Sequence, residues 1–163
     1  MKIKEVMKLV RESGSLWIGQ NGPDKYIGNG VALYQTSGEY DIETLFMLTD
    51  TTDKQKEKLR VTPIDSGSDF LADIDGSECE LTRMSFSINY GGNTFSVFES
   101  ERGAVFIDRK YLKPLTDEQE PEFKLRSIGN TEMVIVHYGL VAAAAIMPYR
   151  LIDIGFDVHA EKL

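Results

Sequence analysis

Asp69, Asp73, Asp75 and Glu78 stand close together in the chain, with a glycine turn at Asp75-Gly76 among them. Hard cations such as calcium take several oxygen ligands from one loop, so this cluster is the first place to look for metal chemistry. The register fails the test. With Asp73 and Asp75 in the third and fifth positions of an EF-hand loop, the first is Leu71 and the twelfth Thr82, and neither supplies a carboxylate. Asp65 to Glu80 therefore reads as a solvated acidic loop or insertion, and no metal is expected.

Other reactive side chains are isolated. His137 falls in an expected strand beside Tyr138 and His159 lies near the C-terminus, so only Cys79 could join them as a ligand and none of the three has ligand spacing. A structural histidine is the better reading of His137. Cys79 would need a nearby base to act as a nucleophile, and the negative charge of the flanking Glu78 and Glu80 disfavours a thiolate, so an inert thiol is the better reading. Gly28-Asn29-Gly30 begins like a dinucleotide-binding loop, but Leu33 stands where the third glycine belongs and an apolar run follows instead of a helix. No GxxxxGK[ST], HExxH or GxSxG motif occurs, and Ser, His and acidic residues follow no recognisable catalytic order. The expectation is a non-catalytic protein with no cofactor.

Charge is distributed more informatively than reactive groups are. Lys2, Lys4, Lys8 and Arg11 against Glu5 and Glu12 leave residues 2–12 at +2, and Arg109, Lys110 and Lys113 against Asp108 leave 108–115 at +2. The chain totals −8, so the remainder carries −12. Such a balance opposes indiscriminate coating of nucleic acid yet leaves room for a local cationic face. Arg109 and Lys113 are four apart, which on an α-helix places them together, with Tyr111, Leu112 and Leu115 opposite.

The elements that must position these residues follow from periodicity. Ile3, Val6, Met7 and Val10 share one arc of a helix that Ser13-Gly14-Ser15 ends, and Lys4, Lys8 and Arg11 fall on an adjacent arc. Leu16-Trp17-Ile18 and Lys25-Tyr26-Ile27 flank Asn21-Gly22-Pro23-Asp24 as a hairpin, and Gly28-Asn29-Gly30 bends the chain into Val31 to Tyr34. Ile42, Leu45, Phe46 and Leu48 fit either a strand or one helical turn. Thr49 to Arg60 reads as a short solvated helix capped by Asp50 and ending before Pro63. Met84, Phe86, Ile88 and Tyr90 alternate along one strand, Gly91-Gly92-Asn93 turns, and Phe95 and Val97 return, which predicts a hairpin with one buried face. Ala104 to Ile107 is a strand, Asp108 caps a following helix that Pro114 must stop or kink near Lys113, and strands follow over Glu122 to Arg126, Glu132 to Tyr138 and Leu140 to Met147.

This last stretch, with Phe106-Ile107, Tyr111-Leu112, Leu115, Met147-Pro148 and Arg150-Leu151, resembles the final half-domain of a bacterial DNA sliding clamp, the processivity factor of the replicative polymerase. The resemblance implies an α+β, DNA-clamp-like fold of two βαβββ-type units, with two helices from Lys2 and Asp108 packed on one face of antiparallel sheet. It implies one clamp-like domain over 1–151 with an insertion around 41–100, and a tail or edge strand over 152–163. It further implies a non-catalytic protein of a phage or prophage, in a replication or mobile-element setting, that meets duplex DNA through Lys4, Lys8, Arg11, Arg109 and Lys113. A sliding clamp has three such domains per chain and this sequence has material for one, so a homo-oligomer is expected to provide useful affinity.

Two other classes stay open. One is a protein–protein assembly module without DNA binding that uses its sheet edges, or a tail strand at Ile154, Phe156 and Val158, to recruit partners by strand addition. The other is a small hydrolase built around His137. The expected core comprises Ile3, Val6, Val10, Trp17, Val31, Leu33, Phe86, Ile107, Leu112, Val134, Val136 and Ile146. A single cysteine and no apolar run near 20 residues long predict a cytoplasmic protein that does not enter a membrane.

Overall fold

The apolar arc of the first helix decides where the core lies. In the computed structural model, which describes residues 1–21, 24–36, 40–64 and 78–149, α1 (Ile3–Ser13) buries Val6, Met7, Leu9 and Val10. Gly14 ends it at φ 70°, with its N–H bonded back to Val10 O, a left-handed cap that glycine adopts without steric cost. An 11-residue helix is marginal alone, so the apolar arc packed on the sheet is what holds it.

Three strands follow: β1 (Ser15–Asn21), β2 (Asp24–Gly28) and β3 (Ala32–Thr36). Asn29 shapes the β2–β3 turn by accepting from the N–H groups of Val31 and Ala32 through Oδ1. Gly28 is required there for space, because a Cβ at this position would lie 1.8 Å from the backbone oxygen of Ala32. Two short helices come next, α2 (Ile42–Leu48) and α3 (Asp53–Glu57). The helical alternative for Ile42 to Leu48 is the one realised. Asp50 does not cap α3; it sits at φ 53°, and Thr52 with Gln55 forms the capping box instead. The helix expected to reach Arg60 stops at Glu57, and β4 (Arg60–Ile64) pairs parallel to β1.

The second half contains β5 (Cys79–Tyr90), β6 (Asn93–Ser100) and β7 (Gly103–Asp108), then β8 (Glu122–Ile128), β9 (Thr131–Tyr138) and β10 (Val141–Ile146). Between β7 and β8 the expected α-helix is a single 3-10 turn, Arg109–Leu112. Asp108 does cap it, accepting from Lys110 N–H, but proline at 114 lacks the donor an α-helix needs and limits the turn.

The described strands form one sheet in the order β4-β1-β2-β3-β10-β9-β8-β5-β6-β7. Every named pairing is antiparallel except β1 with β4, so the sheet is mixed, where the sequence had suggested a wholly antiparallel one. Its centre is symmetric in outline. A helical element followed by a three-stranded meander occurs twice, and the last strands of the two meanders, β3 and β10, pair with each other. The sheet also curls, because Tyr149 N–H donates to Phe106 O at 2.7 Å and joins the chain after β10 to β7.

The α1 side of the sheet holds the main core, including Leu16, Ile27, Tyr34, Phe98, Ile107, Phe123, Leu125, Val134, Val136 and Ile146. Leu115 joins it, with Tyr111 and Leu112 packed against it, so the 3-10 turn shares this core with α1. Three hydrogen bonds tie that segment down: Lys2 N–H to Pro114 O, Tyr34 Oη to Tyr111 O, and Tyr138 Oη to Thr116 O. Of the expected core, Val6, Val10, Leu33, Ile107, Val134, Val136 and Ile146 are buried, and Ile3, Trp17, Val31 and Leu112 partly so. Phe86 is 55% exposed and does not belong to it. Arg150-Leu151, the 65–77 part of the acidic loop, His159 and the 152–163 tail lie outside the described residues.

Replacing Gly28 by Ala forces a β-carbon into backbone and should cost more than about 3 kcal/mol, measured by denaturant unfolding. Gly91→Asn is the control: that residue is at φ 57° with open space around it, and Asn tolerates the left-handed region, so the change should stay within about 1 kcal/mol. Equal losses for the two variants would contradict the packing described at Gly28.

Candidate functional site

The five cations expected to meet DNA have unequal fates. Arg11 is spent inside the fold: its guanidinium donates to Thr49 O and Thr51 Oγ1, both at 3.3 Å, and so holds the α2–α3 corner against α1. Lys4 is exposed and stands 3.7 Å from Asp50, a pairing that solvent screens to little energy. Lys8, Arg109 and Lys113 are exposed and make no ion pair among the described residues. The α1 and 3-10 segments do touch, through the Lys2–Pro114 bond, although Lys2 itself turns to Asp117. Arg109 and Lys113 do not share an α-helical face, since the element between them is one 3-10 turn. The cationic surface is smaller than the sequence suggested.

The face of the sheet away from α1 carries a polar group of residues that pattern reading missed. Alternation along β8 and β9 sends Leu125 and Val134 to the main core, and Arg126 and His137 to the opposite side. There the Arg126 guanidinium forms a two-point ion pair with Glu78 Oε1, with both side chains almost wholly buried. Glu78 Oε2 and His137 Nε2 are buried and have no hydrogen-bond partner among the described residues. Arg126 was legible as a charge in a strand, but its partner lies 48 residues away and no local signal connects them.

His137 is 5% exposed, and burial is the main cause that holds its pKa below the ordinary value of 6.5. Glu78 and Glu122 pull the other way, while Lys124 and Arg126 reinforce the effect. This is the setting of a neutral structural imidazole. No group of three metal-capable side chains converges among the described residues, and Cys79 is buried on the core side. A groove of about 700 Å³ opens where β5 leaves β8, and its lining includes Glu80, Thr82, Arg83, Glu120, Glu122 and Lys124.

The other exposed feature is apolar. β5 pairs with β8 only over Cys79 to Leu81, then leaves it and runs on beside β6 to Tyr90. Along this extension Phe86 and Tyr90 are exposed and Met84 and Ile88 half-buried, so the face expected to be buried is only partly covered. These four side chains do lie along one strand, with a register shift against β6 between Arg83 and Ser87; what the pattern could not convey is that the hairpin extends past the strand that would have flanked it. Further exposed apolar side chains are Met47 and Leu48 on α2, and Leu140 at the β9–β10 turn. No helix among the described residues is long and apolar enough to cross a membrane.

Comparison of the chain with protein-family profiles, curated proteins and solved structures finds no match.

Two outcomes follow from the buried polar group. Arg126→Met leaves the Glu78 carboxylate buried without its cation and should cost about 3 to 5 kcal/mol, while adding Glu78→Gln should recover part of that loss in a double-mutant cycle. Independent, additive losses would contradict the pairing. For His137, a folded-state pKa below 6.5 means the unfolded chain binds the extra proton first as pH falls. Its contribution is therefore complete above 6.5 and is lost below it, toward the lowered folded value. The thermal midpoint of the wild type should fall more steeply than that of His137→Gln in that window; superimposable profiles would exclude His137 as the titrating group.

Proposed function

We propose that this chain is a non-catalytic assembly module with a clamp-like architecture, which acts by associating with copies of itself. The observation that carries the reading is the β5–β6 extension, where an alternating apolar strand runs beyond the core with Phe86 and Tyr90 turned to solvent. Exposed apolar side chains that adjoin one another along a strand, unlike ones scattered singly, suit an interaction surface. The clamp-like reading is supported by the repeated order of helical element and three-stranded meander, with both helical elements sharing one core.

A second reading, contact of the α1 and 3-10 segments with duplex DNA, is favoured by the bond that brings them together and by exposed Lys8, Arg109 and Lys113. It ranks lower because Arg11 is engaged inside the fold and because Asp50 and Asp117 stand against Lys4 and Lys2. Three phosphate contacts on a chain of charge −8 give weak binding that salt removes, with a slope of about −0.9 per contact.

Light scattering over a wide concentration range, at low and moderate salt, separates the two. Self-assembly predicts a mass that rises above the 18.3 kDa monomer with concentration and changes little with salt. A mass fixed at the monomer overturns the assembly reading. If that monomer binds duplex DNA with a salt-dependent affinity that Lys8→Glu and Lys113→Glu abolish, the DNA reading replaces it.

A further inference from the structure

The edge of β5 offers a more specific statement, which rests on the assembly reading above. Beyond Leu81 the strand has β6 on one side and, among the described residues, no strand on the other. The β5–β6 turn is the two-residue loop Gly91-Gly92, with φ of 57° and 80°, closing the pair Tyr90 and Asn93. In such a primed turn the closing pair exchanges hydrogen bonds and the pattern alternates from there. The peptide groups of Tyr90 and Ile88 thus turn toward β6, and those of Asn89 and Ser87 turn outward.

The segment Phe86-Ser87-Ile88-Asn89-Tyr90 is uncharged and contains no proline or inward-pointing charge, which are the usual devices that blunt an exposed edge. A register shift separates it from Arg83, so the regular ladder with β6 resumes at Ser87. We propose that this edge pairs antiparallel with the same edge of a second copy, about a twofold axis at Ile88.

Self-pairing is what the residues favour over pairing with an unrelated strand. About that axis Phe86 meets Tyr90 of the other copy, Ser87 meets Asn89, and Ile88 meets Ile88. Each pair joins like with like, on one face aromatic and aliphatic, on the other polar, so no side chain is sent to the wrong side. The outward peptide groups of Ser87 and Asn89 face each other, as hydrogen-bonded partners must. Ile88 falls at a close, non-hydrogen-bonded position that suits a branched side chain. Arg83, the nearest charge on β5, falls past the end of the other copy's hairpin, and the two copies of Arg83 are about 33 Å apart, well beyond the roughly 10 Å over which exposed charges act in ordinary salt. A five-residue ladder buries less than the roughly 1,600 Å² of a standard interface, so the dimer is concentration-dependent.

Cysteine cross-linking reads the register directly, because the native Cys79 is buried. Ser87→Cys mixed with Asn89→Cys should give a disulfide-linked dimer under mild oxidation, since paired Cα atoms lie about 5.5 Å apart, within disulfide range. Each variant alone should give several-fold less. Ser87→Pro removes an outward N–H without touching the β6 ladder, so it should remain folded by thermal melting yet become monomeric by light scattering. If the wild type associates while the mixed cysteines fail to link, or while folded Ser87→Pro still associates, this edge is overturned and the assembly reading stands. A wild type monomeric at every concentration overturns both.

Discussion

The structure depends on one strand serving two ladders. β5 closes the sheet against β8 through three residues, Cys79 to Leu81, and then commits its remaining length to β6. Because β6 and β7 hang from that extension, the sheet turns there, and Tyr149 reaches Phe106 to complete the curl. The same handover leaves the strand's outer edge without a neighbour beyond Leu81 among the described residues. One geometric choice thus produces the curved core and the exposed edge.

On the core face of the sheet, α1 and the 3-10 turn cover the main core, and their contact is made by backbone: Lys2 N–H to Pro114 O. Helical element and meander repeat on either side of the β3–β10 pair, so the two halves meet through equivalent strands. The opposite face instead places a carboxylate, a guanidinium and an imidazole out of water beside Met133, Ile135 and Ala145. Burying such an ion pair is weak as a source of stability, and its loss is costly mainly because a charge would be stranded. These groups therefore constrain the fold.

Much of this was legible from local pattern. The apolar arc of α1, the glycine that ends it, the β5–β6 hairpin and the strands of the last stretch follow from periods of 3.6 and 2 and from turn residues. What escaped was non-local. β4 carries Pro63 and pairs in parallel with a strand more than 40 positions earlier, so nothing near it announces a strand. The helix after Asp108 has an apolar face and a cap, but proline limits it to one turn. Arg11 lies on a cationic arc as expected, yet its fate is set by Thr49 and Thr51, 38 and 40 residues away. Phe86 shows the same limit: alternation tells which side chains share a face, and only topology tells whether anything lies over it.

If this protein works by assembly through the handover strand, backbone protection at that strand must depend on protein concentration. Amide hydrogen exchange at Ser87 and Asn89 measures this directly, because their N–H groups point away from β6. The account predicts fast exchange in dilute protein and marked slowing at high concentration, with the neighbouring amides of Ile88 and Tyr90 protected throughout. Exchange at Ser87 and Asn89 that is fast and unchanged across the whole range would contradict it.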